Sequence, residues 1–187
     1  MTLKECICLI HEDLEMYPNN GFLGGAKRFF ANASFKLTFW LRIGYWLRTK
    51  KNILAKVCYV IVFLIHKHNQ YLTGIQVRLE TNIGGGLRFQ HFSGIVINEG
   101  CKIGKNVLIF QGVTIGLGTS GIPKIGNNVV ICAGSKIIGG VQVGNNVIIG
   151  ANAVVTHDVP DGAVVVGIPA KIISYNAKDK IPDYMVH

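Results

Sequence analysis

From Ile83 onward an aliphatic or aromatic residue recurs at every sixth position of the chain. The series opens with Ile83 and Phe89, resumes after an eight-residue step with Ile97, Ile103, Ile109 and Ile115, and resumes again after a ten-residue step with Ile125, Ile131, Ile137, Val143, Ile149 and Val155. Four positions after most of these sits a smaller residue, among them Cys101, Val107, Val113, Val129, Ser135, Val141, Val147, Ala153 and Val159. Gly follows the opener at 84, 104, 116, 126, 144 and 150, and Asn stands in the next slots at 106, 127, 128, 145, 146 and 152. A period of six does not hold one face of a helix with 3.6 residues per turn. It does suit very short strands that each turn one aliphatic and one smaller side chain inward, with Gly and Asn rounding the corners at positive φ. Three such faces make a coil, coils stack at the ~4.8 Å spacing of strands, and residues 83–170 predict a solenoid of about five coils.

Ahead of the repeats the period changes to a helical one. A first helix is expected over Glu5–Met16 with a stop at Pro18-Asn19-Asn20-Gly21, and a second over Phe29–Arg48 with Phe35, Phe39, Arg42 and Trp46 on one face. A third, strongly apolar helix is expected over 52–68, and Thr73-Gly74 marks the boundary. The chain thus divides into a helical region (1–74), a solenoid (75–173) and a tail (174–187). The apolar run from Val57 to Ile65 is about half the ~18–20 residues needed to span a bilayer, and no apolar segment behind a basic start suggests a secretory leader.

Composition narrows the classes. Hydrophobic residues at 49% and charged ones at 16% exclude a disordered chain. The five Cys show no pairing pattern and read as reduced thiols of a cytoplasmic protein. No CxxC pair is present, and His66 and His68 fall on nearly opposite helix faces, so no metal is expected. With no secretory leader suggested, Asn32-Ala33-Ser34 is not read as a glycosylation site. The net charge of +9 is uneven: residues 1–75 hold ten Lys/Arg against four Asp/Glu (+6), and residues 76–187 hold nine against six (+3). No nucleic-acid-binding motif accompanies the basic front half, so it reads as a solvated face that packs helices, with peripheral contact to a membrane surface as the other option.

His91 falls where the register slips, between Phe89 and Ile97. A repeat that interrupts its own stacking there has put a side chain outside the regular wall. Imidazole titrates near neutrality and suits removal of a proton from an attacking hydroxyl.

The repeats, closed by Gly167-Ile168-Pro169-Ala170-Lys171, resemble those of the hexapeptide-repeat acyltransferases. His91-Phe92-Ser93-Gly94-Ile95-Val96-Ile97-Asn98 and Gln111-Gly112-Val113-Thr114-Ile115-Gly116 look like the serine acetyltransferase branch. The helical front, with Phe39-Trp40-Leu41-Arg42 and Tyr71-Leu72-Thr73-Gly74-Ile75, looks more like relatives in polysaccharide biosynthesis such as the colanic acid acetyltransferases. The resemblance implies a left-handed parallel β-helix, acetyl-CoA as cosubstrate, and a homotrimer or a dimer of trimers with sites between subunits. A non-catalytic, carbonic-anhydrase-like scaffold is the competing class, and the lack of a three-His ligand set speaks against it.

The resemblance also implies roles by position. His91 matches the family's catalytic base. Its orienting partner is open: Gln76 stands where the serine enzymes carry Asp and the polysaccharide enzymes often carry Glu, Glu99 is a second candidate and Glu80 a weaker third. Gln90 and Asn98 are placed at the acceptor. Coenzyme contacts fall on Gly112, Ala133, Gly134, Ala151, Thr156 and Lys171. The loop Gly116–Lys124 is expected to reach toward a neighbouring subunit. Gln90 replaces the Asp that precedes the histidine in serine enzymes, and Gly121-Ile122 replaces their Arg-His pair. A zwitterion needs partners for both charges, so the expected acceptor is a sugar hydroxyl in surface-polysaccharide synthesis, with serine as the alternative.

Overall fold

The computed structural model describes residues 1–17 and 22–185, and the expected stop at Pro18–Gly21 lies outside them. Helix α1 (Leu3–Glu15) opens on a reciprocal cap in which the Thr2 hydroxyl accepts from the Glu5 N–H and the Glu5 carboxylate accepts from the Thr2 N–H. The helix expected over Phe29–Arg48 is two helices, α2 (Phe22–Ala31) and α3 (Ala33–Arg48). Asn32 between them leaves the helical range, and its Oδ1 accepts from the Phe35 N–H at 2.9 Å. The apolar pattern runs unbroken through the joint because both helices bury aromatic rings against each other, Phe29 meeting Phe39 edge-on at 4.9 Å. Helix α4 (Ile53–Thr73) extends past the expected end at 68 and stops where Gly74 takes φ 66°.

Beyond Gly74 the chain winds into a three-walled parallel β-helix. The first wall stacks β1 (Ile75–Gln76), β4 (Ile95–Ile97), β7 (Thr114–Gly116), β10 (Lys136–Ile138) and β13 (Val154–Val155). The second stacks β2 (Asn82–Ile83), β5 (Lys102–Ile103), β8 (Lys124–Ile125) and β11 (Gln142–Val143). The third stacks β3 (Leu87–Phe89), β6 (Val107–Ile109), β9 (Val129–Ile131), β12 (Val147–Ile149) and β14 (Val164–Val166), with β15 (Lys171–Ser174) added antiparallel.

The long steps in the repeat survive as loops. Lys124 pairs with Gln142, one coil of 18 residues, whereas Asn82 pairs with Lys102 and Lys102 with Lys124. The surplus residues leave the wall while the inward series stays in register. Every opener from Ile83 to Val155 lies in one continuous core. At one corner Asn106, Asn128 and Asn146 all take positive φ, and their side-chain amides form a ladder, Asn106 donating to Asn128 and Asn128 to Asn146.

The helical region closes the first coil. Leu37 and Leu41 of α3 enter the solenoid core, and the approach is close enough that a Cβ on Gly44 would lie 2.7 Å from the Leu79 side chain. At the same seam Arg42 donates to both Asp13 oxygens (2.8 and 2.9 Å) and to the Ile83 and Gly84 carbonyls, while Asp13 also accepts from the Leu87 N–H. Burial pushes the Asp13 carboxyl above its ordinary range, against the pull of the guanidinium.

Within 174–187 the chain forms α5 (Ala177–Met185). Its Ala177 and Ile181 cover the outward side chains Leu108, Val130, Ile148 and Val164 of the third wall. Among the described residues, no helix is long and apolar enough to cross a membrane.

Candidate active site

His91 sits at the corner where the third wall turns into the first, exposed, with its ring 6.2 Å from that of Phe110. The surplus of the eight-residue step is spent here. Ser93 takes φ 104° and Gly94 φ 63°, a backbone that few non-glycine residues adopt and that costs strain at Ser93. The loop is held from two sides: the Ser93 carbonyl accepts from the Gly112 N–H at 3.0 Å, and Gly74 packs so closely that a Cβ on it would lie 3.2 Å from the Ser93 Cα. Gln90, His91 and Phe92 line one side of a cleft of about 260 Å³, with Asn32 and Ser34 from the start of α3 on the other.

Four of the expected coenzyme positions continue the same corner. Gly112 and Gly134 take φ 72° and 74°, directly above Gly94, and Asn152 follows at φ 56°. The Gly134 N–H donates to the Gln111 carbonyl and the Asn152 N–H to the Ala133 carbonyl, so Gly112, Ala133, Gly134 and Ala151 form one column running from the His91 loop along the solenoid. Small residues let a ligand chain approach that backbone. Thr156 and Lys171 lie away from the column, beyond β13 and at the start of β15, both exposed. Thr156 places its hydroxyl 3.1 Å from His157 Nδ1.

Lys136 escaped the sequence reading, because a lysine at an outward position looks like ordinary solvated surface. Its half-buried amine donates to the Gly112 carbonyl, which sets a cation on the column. Only the stacking of coils reveals that proximity.

The other expected residues are gathered elsewhere. Gln76, Asn98 and Glu99 line a cleft of about 450 Å³ over the first wall, together with Lys67, Tyr71 and Arg78. Glu99 is paired with Arg78 at 2.6 Å, and Arg78 also reaches Glu80. Glu80 in turn accepts from the Tyr59 hydroxyl, and its carboxyl lies below the ordinary range although burial opposes this, because Tyr59 and the neighbouring arginines favour the anion. Among the described residues no hydrogen bond joins His91 to Gln76, Glu80 or Glu99 within this chain. The loop Gly116–Lys124 folds back on itself through paired Gly118 and Gly121 bonds and rests on the next coil of the same chain, Ser120 accepting from the Gly140 N–H. Leu117 is left exposed at its start.

Residues 122–157 match the bacterial transferase hexapeptide (six repeats). Over those residues the repeats resemble those of the hexapeptide transferases. This hexapeptide-repeat chain is 43% identical over 131 residues to a serine acetyltransferase of Staphylococcus xylosus, covering 67% of this chain and 60% of that one. It is 41% identical over 125 residues to the serine acetyltransferase of Bacillus subtilis, covering 64% and 57%. The chain therefore spans about 60% of the length of the curated relatives it matches. In three dimensions it resembles a serine acetyltransferase solved in complex with CoA (TM-score 0.75, 28% identity, 91% of this chain and 71% of that one). It also resembles the Neisseria gonorrhoeae serine acetyltransferase solved with serine (TM-score 0.75, 26% identity, 92% and 70%).

These likenesses correct one expectation. A sugar acceptor in polysaccharide synthesis was inferred from two places, Gln90 and Gly121-Ile122. The similarity to serine acetyltransferases runs through the solenoid and most of the helical region, and it overturns that inference. Single substitutions alter how an acceptor is held, and they weigh less than a likeness carried by the whole arrangement.

Proposed function

We propose that this hexapeptide-repeat protein is an acetyl-CoA-dependent O-acetyltransferase acting on serine, with His91 as general base. The observation that carries the reading is the corner column: an exposed imidazole stands at the head of a run of small residues, in a chain similar to a serine acetyltransferase solved with CoA. In this reading the imidazole takes the proton of the serine hydroxyl as its oxygen attacks the thioester carbonyl. The carbon–sulfur bond then breaks, and the leaving sulfur receives that proton, giving O-acetylserine and CoA. The thioester is already activated, so the protein supplies position and a base rather than a covalent nucleophile.

Gly112, Ala133, Gly134 and Ala151 would accommodate the amide-bearing arm of CoA through their backbone, and Lys171 and Thr156 its polar end. Serine brings an ammonium and a carboxylate. Gln90 offers neither with an opposite charge, but the first-wall cleft holds Lys67, Arg78 and Glu99 beside Gln76 and Asn98. A neighbouring copy that sets this cleft against the His91 corner would bring those charges, and an orienting partner for the imidazole, to the acceptor.

Thiol release from acetyl-CoA, followed with and without L-serine, tests the reading. Serine-dependent release is expected, and His91→Ala should lower it by roughly 10²–10⁴ while leaving CoA binding within a few-fold. Release that does not respond to serine removes the acceptor assignment. A His91→Ala variant that keeps more than about a tenth of the rate removes His91 as the base.

A further inference from the structure

The inward face of α4 is accounted for by Ala55, Val62, His66, Asn69 and Thr73. Its outward face has no cover among the described residues. Ile53, Val57, Val60, Ile61, Phe63 and Leu64 are between 46% and 77% exposed, consecutive over three turns and spread across about half the helix circumference. Contiguous apolar surface of this kind marks an interaction site.

The charge around it identifies the partner. Residues 16–79 contain ten Lys/Arg and no Asp or Glu. Arg48, Lys51 and Lys56, on and just ahead of the first turn of α4, are exposed. We propose that this face of α4 lies in the plane of an anionic lipid surface, with its aliphatic side chains at the headgroup–acyl boundary and the lysines among the headgroups. An interfacial helix needs an apolar face flanked by cations, and it does not need the length of a spanning one. Each juxtamembrane Lys or Arg adds attraction to anionic lipid. A second copy is the less favourable occupant: two such faces in contact would bring Lys51 and Lys56 of each copy together, with no acid in the segment to pair them.

Co-sedimentation of the full chain with vesicles tests this without substrate, so its outcome is independent of the acetyl-transfer reading. The chain should sediment with vesicles containing phosphatidylglycerol, not with phosphatidylcholine alone, and added salt should release it. The pair Val57→Asp and Ile61→Asp, both at exposed positions, should reduce the bound fraction at least about tenfold with unchanged helical circular dichroism. Lys51→Glu with Lys56→Glu should act in the same direction. The proposal is overturned by failure to sediment with phosphatidylglycerol vesicles, or by binding that both variant pairs leave unchanged. It is equally overturned if the aspartate pair splits a larger assembly in light scattering without vesicles, which would seat a second copy on the face.

Discussion

His66 is 2% exposed on the inner face of α4, and its Nε2–H donates to the Val77 carbonyl at 2.8 Å, beside a second donor from Gln70. Burial holds its pKa below the ordinary imidazole value, with Lys67 acting in the same direction, although the Val77 hydrogen bond and Glu80 oppose it. The folded chain therefore binds this proton less readily than the unfolded chain. Stability contributed by the neutral imidazole is present above the ordinary value of about 6.5 and is lost as pH falls below it. The melting temperature should drop between about pH 7.5 and about pH 5.5, and His66→Gln should flatten that part of the slope whatever it does to absolute stability. An unchanged slope in the variant would show that another group controls this range. The residue scale is also where the sequence was least legible. His91 announced itself by breaking the repeat, whereas Lys136 and Arg78 gain meaning only from neighbours a coil or more away. The sugar acceptor was inferred from single side chains at 90 and 121–122, which carry less than the likeness to serine acetyltransferases spread over most of the chain.

At the scale of elements, the joint between α1, α3 and the first coil depends on one buried ion pair. Arg42 and Asp13 are 4% and 1% exposed, and between them they satisfy two carbonyls and an N–H of the coil. Arg42→Ala would leave the carboxylate and those carbonyls buried without a cation, a loss of about 3–5 kcal/mol, measurable by denaturant unfolding. A cost below about 1 kcal/mol, the range of surface pairs, would mean that water reaches the seam. The sequence placed Arg42 on the packed side of its helix with Phe35, Phe39 and Trp46, since period alone fixes a face. It did not reveal the partner, 29 residues earlier on another helix. The break at Asn32 was hidden for a related reason: two helices burying the same side carry one continuous pattern. The solenoid was legible throughout because each inward residue repeats the same environment, so the signal accumulates over the coils.

For the whole molecule, the separation of the His91 corner from the Gln76–Glu99 cleft makes one chain an incomplete site in the proposed reaction. Closed rings of like subunits join two different patches of the same surface, and a trimer would bring one copy's corner to the next copy's cleft. Light scattering should then give about 61 kDa, three chains of 20.4 kDa, or a multiple of it. A monomer with full serine-dependent turnover would refute a site shared between copies. The α5 helix bears on which surfaces are free for such contacts, since it already occupies the third wall.

The antiparallel strand at the end of the solenoid has a consequence for solubility. Stacked parallel coils present, at their last turn, a row of unsatisfied backbone groups that would template a further coil from any other chain. Here β15 runs the opposite way across β14, the Gly167 carbonyl accepts from the Val154 N–H, and the Ala170 N–H donates to the Val154 carbonyl. At the other end the helices lie over the first turn. Both growth points of a potential fibre are therefore blocked from within the chain, which lets so repetitive a sequence persist as a discrete particle instead of polymerising end to end.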